Sequence, residues 1–291
     1  MRHATWLKIE TSPFWHGVYR RYHSLPDSVR RPLRALFMPR WQLAAFLVRR
    51  TSRRRAVAGP FRGMRLELSP LSGRHLLGYI LGSQELELRP AIDAIVERGY
   101  RTILNVGAAD GYYAVGLALR APQAGVEAFE ALPELHPVIA RTAAANGVAD
   151  RVAILGACTA SELRTRLGAS EGPTLVLMDI EGGEVDLLDL DTVPELAEAD
   201  ILVETHDAFV PDATATLIRR FHETHSIARY TARPRVLNDF PPDFLPRLRR
   251  WFPSLAVELM NERRTGRQRW LLLTAKTGVR TAEAGRTLSA A

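Results

Sequence analysis

Nineteen residues, RTILNVGAADGYYAVGLAL from Arg101 to Leu119, constrain the fold of this chain more than any others. Thr102 to Val106 is a short apolar, β-prone run, Gly107 to Gly111 is a loop of small residues, and Tyr112 to Leu119 continues with apolar residues at helical spacing. Strand, glycine loop and helix in that order predict the first βα unit of a doubly wound sheet. In such a sheet the small residues let a ligand approach the backbone, and the helix start offers unpaired N–H groups to a nucleotide-like group. The spacing is not the G-x-G-x-x-G of a dinucleotide fingerprint, because Ala108, Ala109 and Asp110 separate Gly107 from Gly111. Taken alone, the loop is also compatible with a turn that merely closes a strand–helix corner.

Three further strands ending in acids extend the pattern. Gly125 to Glu130 (GVEAFE) places a carboxylate 19 residues after Gly111, about where an acid at the end of the second strand reaches ribose hydroxyls. Thr174 to Glu181 (TLVLMDIE) and Asp200 to Asp207 (DILVETHD) are apolar runs that turn acidic at their carboxyl ends. The two-residue period puts Asp179 and Glu181 on one sheet face, and likewise Glu204 and His206. Arg151 to Leu155, Ser226 to Tyr230 and Trp270 to Ala275 supply the third, sixth and seventh strands.

In order, ILNVGAADGYY, VEAFEALPELHPVIARTAAANG, MDIEGGEVDLL and ILVETHD resemble an S-adenosylmethionine-dependent methyltransferase of the FkbM type, over about residues 79 to 234. The MDIEGGE segment followed by two leucines is the most distinctive piece. The resemblance implies a Rossmann-like, seven-stranded, mostly parallel sheet with an antiparallel last strand, expected at the sheet edge. It implies S-adenosylmethionine as cofactor, with Asn105, Gly107, Ala108, Ala109, Asp110 and Gly111 around its methionine part, Glu130 at its ribose, and Asp179 to Glu184 bordering the transfer site. The chain departs from the family pattern at three places. Asn105 stands where an acid is usual, Gln84 and Glu85 stand in place of a Tyr-Glu pair, and Cys158 with Thr159 occupies the position of an acid for the adenine amino group.

Charge divides the chain. Residues 1 to 65 carry 15 Arg and Lys against two acids, a balance of +13, within a net charge of +7; the remainder is therefore acidic, at −6. An acidic catalytic half suits a cationic sulfonium and not a phosphate backbone, so nucleic acid is not expected as a partner. From Val29 to Arg55, Arg clusters alternate with Leu, Phe, Trp and Val, a pattern for one or two basic amphipathic helices around Pro39. These helices either touch an anionic membrane surface peripherally or pack their apolar stripe on the catalytic domain. The longest apolar run there, Leu43 to Val48, is too short to span a bilayer, and no cleavage-site pattern is visible. With a single cysteine, Cys158, the chain has no intrachain disulfide, and a cytoplasmic setting is expected. Cys158 itself reads first as a small buried apolar residue.

The expected organisation is a basic, helical extension over 1–60, a Rossmann-like domain over 61–276 and a flexible tail over 277–291. Phe61 to Leu68 alternates like a strand, and Ala91 to Arg98 reads as a helix closed by Gly99. The stretch 235–269, rich in Pro, Arg and aromatics, is an insertion that either shapes an acceptor pocket or is a structural cover. The G-x-S-x-G match at Gly168 to Gly172 follows a helix and precedes a strand, the reverse of a nucleophile elbow, and reads as a loop.

Methyl transfer from a sulfonium needs alignment and, for a hydroxyl acceptor, removal of a proton. Asp179 and His206 are the candidate bases, with Glu181 retained from the motif; His206 reads equally as a residue that only orients a neighbour. A metal-assisted variant would use Asp179 with Asp207 and His206 as hard ligands, although a divalent metal is not expected. The acceptor class is a hydroxyl on a sugar, a glycolipid or a small natural product. N- or carboxyl-methylation and non-catalytic binding of S-adenosylmethionine are the alternatives.

Overall fold

The computed structural model describes residues 38–67, 75–262 and 268–276, together with Arg21, Ser24 to Pro26 and Val29. The tail 277–291 and most of the residues before 38 lie outside them. In chain order the helices and strands are α1 (Pro39–Ser52), α2 (Leu76–Leu81), α3 (Arg89–Arg98), β1 (Thr102–Val106), α4 (Tyr112–Arg120), β2 (Gly125–Phe129), α5 (His136–Ala145), β3 (Val152–Leu155), α6 (Ala160–Ala169), β4 (Thr174–Met178), α7 (Glu184–Leu187), β5 (Asp200–Thr205), α8 (Ala213–Phe221), β6 (His225–Thr231), α9 (Pro246–Trp251), α10 (Pro253–Leu259) and β7 (Arg269–Ala275).

The chain forms two compact units, one from Met1–Leu66, Leu71–Leu86 and Arg233–Gly266, the other from Glu67–Pro70, Glu87–Ala232 and Arg267–Ala291. The second contains a seven-stranded sheet in the order β3-β2-β1-β4-β5-β7-β6. Strands β1 to β5 pair in parallel, and β7 runs antiparallel to both β5 and β6. The reversed last strand is the one the family resemblance implies. Its place is different from the expectation, since β7 lies inside the sheet and β6 forms the edge. Five residues of β7 pair with β5, from Ile201↔Leu273 to Thr205↔Arg269, and seven pair with β6.

Central strands β4 and β5 are buried along their whole length, as parallel strands covered on both faces must be. Leu104, Val106, Val176, Met178, Ile201, Val203, Leu271 and Leu273 line one face, packed with Leu163 and Leu167 of α6 and Leu217 and Phe221 of α8. By alternation, Asn105, Leu177 and Glu204 point to the other face. The elements end where their chemistry says they should. Gly99, at φ +74°, stops α3 just before β1, and the Thr159 hydroxyl accepts from the Glu162 N–H to start α6. Ser170 of the G-x-S-x-G match lies just past the end of α6, with its hydroxyl on the Arg166 carbonyl.

In the first unit, α1 packs on α2 and α10. Among the described residues, which reach 67, the strand expected over Phe61 to Leu68 does not form. Residues 60–63 make a turn that ends with Gly63 at φ +95°, leaving a single antiparallel bridge between Arg55 and Arg65. Gln84 and Glu85 are buried in this unit, where Gln84 Nε2 donates to Glu85 Oε1 and the Glu85 N–H donates to Glu262. Arg235 pairs with the same Glu262 and donates to the Ser83 carbonyl, so the ion pair ties the 235–262 stretch to the end of α2.

Candidate active site

The glycine loop and the ends of β2, β4 and β5 meet at the carboxyl edge of the sheet. Gly107 and Ala108 both donate to the Phe129 carbonyl, and the Gly111 N–H closes the turn onto the Ala108 carbonyl. Gly107 has φ +83°, and a Cβ there would lie 1.9 Å from the Asp179 carbonyl oxygen. The glycine is therefore demanded by the close passage of the chain leaving β4. Ala109 takes φ +48° without the freedom of glycine, and Glu130 compensates: its carboxylate accepts from the Ala109 N–H at 2.7 Å and from the Leu132 N–H at 2.8 Å. Two acceptor positions remain on that carboxylate for a hydroxyl donor. His136 Nε2 lies 2.8 Å from the Glu130 carbonyl oxygen, fixing the backbone as well.

Asn105 lies at the end of β1, 1% exposed, and neither its amide oxygen nor its amide nitrogen has a hydrogen-bond partner. Burying both ends of an amide unpaired costs several kcal/mol, of order 1–3 per group. A ligand that brings a donor and an acceptor, such as an amino acid's ammonium and carboxylate, removes that cost. The buried Trp270 indole N–H, also without a partner, stands across the ladder from Glu204 on the same sheet face. Asp110, within the loop itself, is buried at 3% exposure.

At the ends of β4 and β5 a second cluster forms. His206 Nδ1 is 2.8 Å from Glu184 Oε1, while His206 Nε2 faces Asp179 Oδ1 at 3.6 Å and Glu204 Oε1 at 4.0 Å. Glu184, almost fully buried at the start of α7, also accepts from the backbone N–H groups of Ile180 and Gly182. A carboxylate holding three donors is ionised and acceptor-only, so His206 donates from Nδ1 and leaves the Nε2 lone pair toward Asp179. Burial pulls the His206 imidazole down, but the Glu184 hydrogen bond and the charges of Glu184, Asp179 and Glu181 outweigh it, and the group sits above its ordinary value. Burial likewise pushes Glu184 up, and the His206 hydrogen bond with the backbone donors wins, holding it below the usual carboxylate range. The Phe209 ring stacks on His206 at 5.8 Å and 28° while remaining 62% exposed. The Phe209 and Val210 N–H groups both donate to the His206 carbonyl, which fixes this turn.

The structure brings together Asn105, Gly107, Ala108, Ala109, Asp110, Gly111 and Glu130 around one loop, and Asp179 with His206 beyond it. It does not put Glu181 and Asp179 on one strand face. β4 ends at Met178, and Glu181 is exposed at φ +58°, so the alternation that would pair the two acids has stopped. Asp207 is not a ligand of this cluster, because its carboxylate accepts from the Thr214 N–H and hydroxyl and pairs with Arg269 at 3.0 Å. Those donors hold Asp207 low against the upward push of burial. Cys158 packs half-buried against the core beside Leu155 and Ala160, its thiol pushed up to about 12 by burial, while Thr159 is committed to capping α6. Glu184, the group that orients His206, falls outside the two-residue pattern because it stands on a helix start. In the sequence it shows only as the acid that ends the MDIEGGE segment, within the Asp179 to Glu184 stretch that the resemblance puts beside the transfer site, with nothing to mark it as the partner of His206. Asp179, Glu184 and His206 also offer one ligand atom each within 4.8 Å of one another, a spacing that a divalent cation can bridge.

No family model matches the chain. No curated protein matches it either. Solved structures do. An O-methyltransferase, TomG from Streptomyces achromogenes, in complex with S-adenosylmethionine, is 19% identical over 72% of this chain and 82% of its own, at a TM-score of 0.41. An O-methyltransferase from Bacillus cereus in complex with S-adenosylhomocysteine is 13% identical, over 85% and 97%, at 0.40. An rRNA methylase from Streptococcus thermophilus is 9% identical, over 65% and 97%, at 0.44. Likeness at this distance says nothing of what the present chain acts on.

Proposed function

We propose that this chain is an S-adenosylmethionine-dependent methyltransferase of the FkbM type that acts on a hydroxyl of a sugar, glycolipid or small natural product. The observation that carries the reading is the Asn105 amide, buried and without partners on either atom two residues before the glycine loop. In a sheet with a reversed β7, that amide answers the ammonium and carboxylate of the cofactor's methionine part, and the spare acceptor positions of Glu130 answer ribose hydroxyls. When bound, the cofactor supplies an electrophilic methyl group. His206 Nε2, oriented by Glu184, takes the proton of the acceptor hydroxyl, and Asp179 stabilises the imidazolium that results. Glu181 borders this site from the exposed turn, and its charge adds to the field that keeps His206 basic. The exposed ring of Phe209 is the platform on which an acceptor ring stacks beside that base.

Transfer of labelled methyl from S-adenosylmethionine to a panel of hydroxylated sugars and phenols tests the reading. Transfer that persists after exhaustive chelation assigns the Asp179–Glu184–His206 cluster to proton transfer; loss on chelation, restored by Mg²⁺ or Ca²⁺, assigns it to a metal. Phe209→Ala is expected to raise KM for the acceptor about 3- to 10-fold, the worth of one aromatic stacking contact, while leaving cofactor affinity unchanged. An unchanged acceptor KM removes Phe209 from the site.

A further inference from the structure

Helix α1 carries two apolar stripes. Ala44, Ala45, Val48 and Ser52 are buried, and α2 and α10 are the helices that pack on α1. Leu43, Phe46 and Leu47 recur at i, i+3 and i+4 on another side of the helix and are exposed, Leu43 at 60% and Phe46 at 57%. The packing of the small stripe leaves the larger side chains outside. Arg50 continues that outer stripe one turn on, and Arg40, Arg49 and Arg53 are exposed along its margins. Between Ser28 and Leu66 the chain contains no Asp or Glu. No helix among the described residues is long and apolar enough to cross a membrane.

We propose that the outer face of α1 lies on an anionic bilayer surface, with Leu43, Phe46 and Leu47 inserted at the headgroup boundary and the arginines on lipid phosphates. A helix in the membrane plane needs both components: apolar side chains that leave water and cations that meet the surface charge. Arg50, within the stripe, is long enough to bury its stem and keep its guanidinium at the phosphates. The same features disfavour other occupants. A nucleic acid would satisfy the arginines but gains nothing from three exposed apolar side chains. A second copy of the chain would bring a like-charged, acid-free face against this one.

The test is co-sedimentation of the full chain with vesicles of phosphatidylcholine alone and of phosphatidylcholine containing phosphatidylglycerol, at low and high salt. The proposal predicts binding to the anionic vesicles only, weakened by salt as surface electrostatics are. The double variant Leu43→Ser, Phe46→Ser is expected to lower the partition coefficient about tenfold or more, because both inserted side chains are lost. Arg40→Gln with Arg53→Gln, which leaves the stripe intact, should lower it about fivefold per charge removed. Leu119→Ser, an exposed apolar residue of α4, is the control and should change nothing. The proposal fails if the wild type stays in the supernatant with anionic vesicles, or if the Leu43, Phe46 variant binds as the wild type does. It also fails if sedimentation equilibrium shows a wild-type dimer that this variant dissolves, which would assign the face to a second copy.

Discussion

Replacing His206 with alanine is expected to lower kcat by about 10²- to 10⁴-fold, the span that a positioned general base supplies. Affinity for S-adenosylhomocysteine should stay within a factor of about two, since no cofactor contact is removed. A merely structural histidine would produce the opposite pattern, with a lowered melting temperature and kcat little changed in the folded fraction. The pH profile adds a sharper readout. His206 must be neutral to accept a proton, and its surroundings hold it above its ordinary value, so the rising limb of kcat against pH should lie above the ordinary imidazole range. Glu184→Gln keeps an acceptor for Nδ1 and removes the charge, so it should move that limb to lower pH and reduce the plateau rate. The linkage runs in the matching direction. The raised imidazole contributes stability that is fully present below its unfolded pKa and lost as pH rises through the folded value, whereas the depressed Glu184 contributes stability present above its unfolded pKa and lost as pH falls. Glu184→Gln should therefore cost least at acid pH, most between the two unfolded pKa values, and an intermediate amount at alkaline pH, where only the imidazole's share is lost, and urea melts across pH measure this. A limb that stays in place in Glu184→Gln would separate the pair from the proton transfer.

Gly107→Ala should be the most damaging single-methyl change in the sheet unit. The added Cβ would stand 1.9 Å from the Asp179 carbonyl oxygen, 2.8 Å from its carbon and 3.0 Å from the Ile180 side chain, at a φ of +83° that L residues rarely adopt. Neither the carbonyl nor the strand that carries it can yield without breaking the Asp179 N–H bond to the Val106 carbonyl. A loss of about 3 kcal/mol or more is expected from the clash and the backbone strain together, with cofactor binding abolished in whatever remains folded. Gly147→Ala is the comparison: Gly147 has a φ of +69° but nothing within 4 Å of its added Cβ, so it should cost about 1 kcal/mol. Thermal melts of the two variants decide. Equal losses would mean that the passage of the glycine loop over β4 is not tight.

The part of the site built from contiguous residues was legible in the sequence, and the part built by folding was not. β1, the loop and α4 occupy the expected residues because an apolar run, two glycines at positive φ and a helical repeat are local signals. The limits appear where strands end. Two-residue alternation extends β4 to Glu181, but the chain turns after Met178, and the glycines that follow admit the turn that swings Glu181 outward. β5 likewise stops at Thr205, so Asp207 leaves the row and is taken by Thr214 and Arg269, two partners distant in sequence or lying on the next helix. The insertion of β7 between β5 and β6 depends on pairings between residues 38 to 72 positions apart, which no local pattern encodes. Glu184 and Phe209 reach His206 only through the turns after β4 and β5, and each has meaning only once those turns exist.

The central claim, that the unpaired amide of Asn105 awaits the methionine part of S-adenosylmethionine, is tested most directly by calorimetric titration of S-adenosylhomocysteine into the wild type and Asn105→Leu, with NAD in parallel. The account predicts micromolar binding by the wild type, a loss of more than about tenfold in Asn105→Leu, as for a hydrogen bond to a charged group, and no binding of NAD. It also predicts that Asn105→Leu melts no lower than the wild type, because the leucine replaces a buried amide that has no partner. Failure of the folded wild type to bind S-adenosylhomocysteine, binding of NAD in its place, or equal affinity in Asn105→Leu would contradict the account.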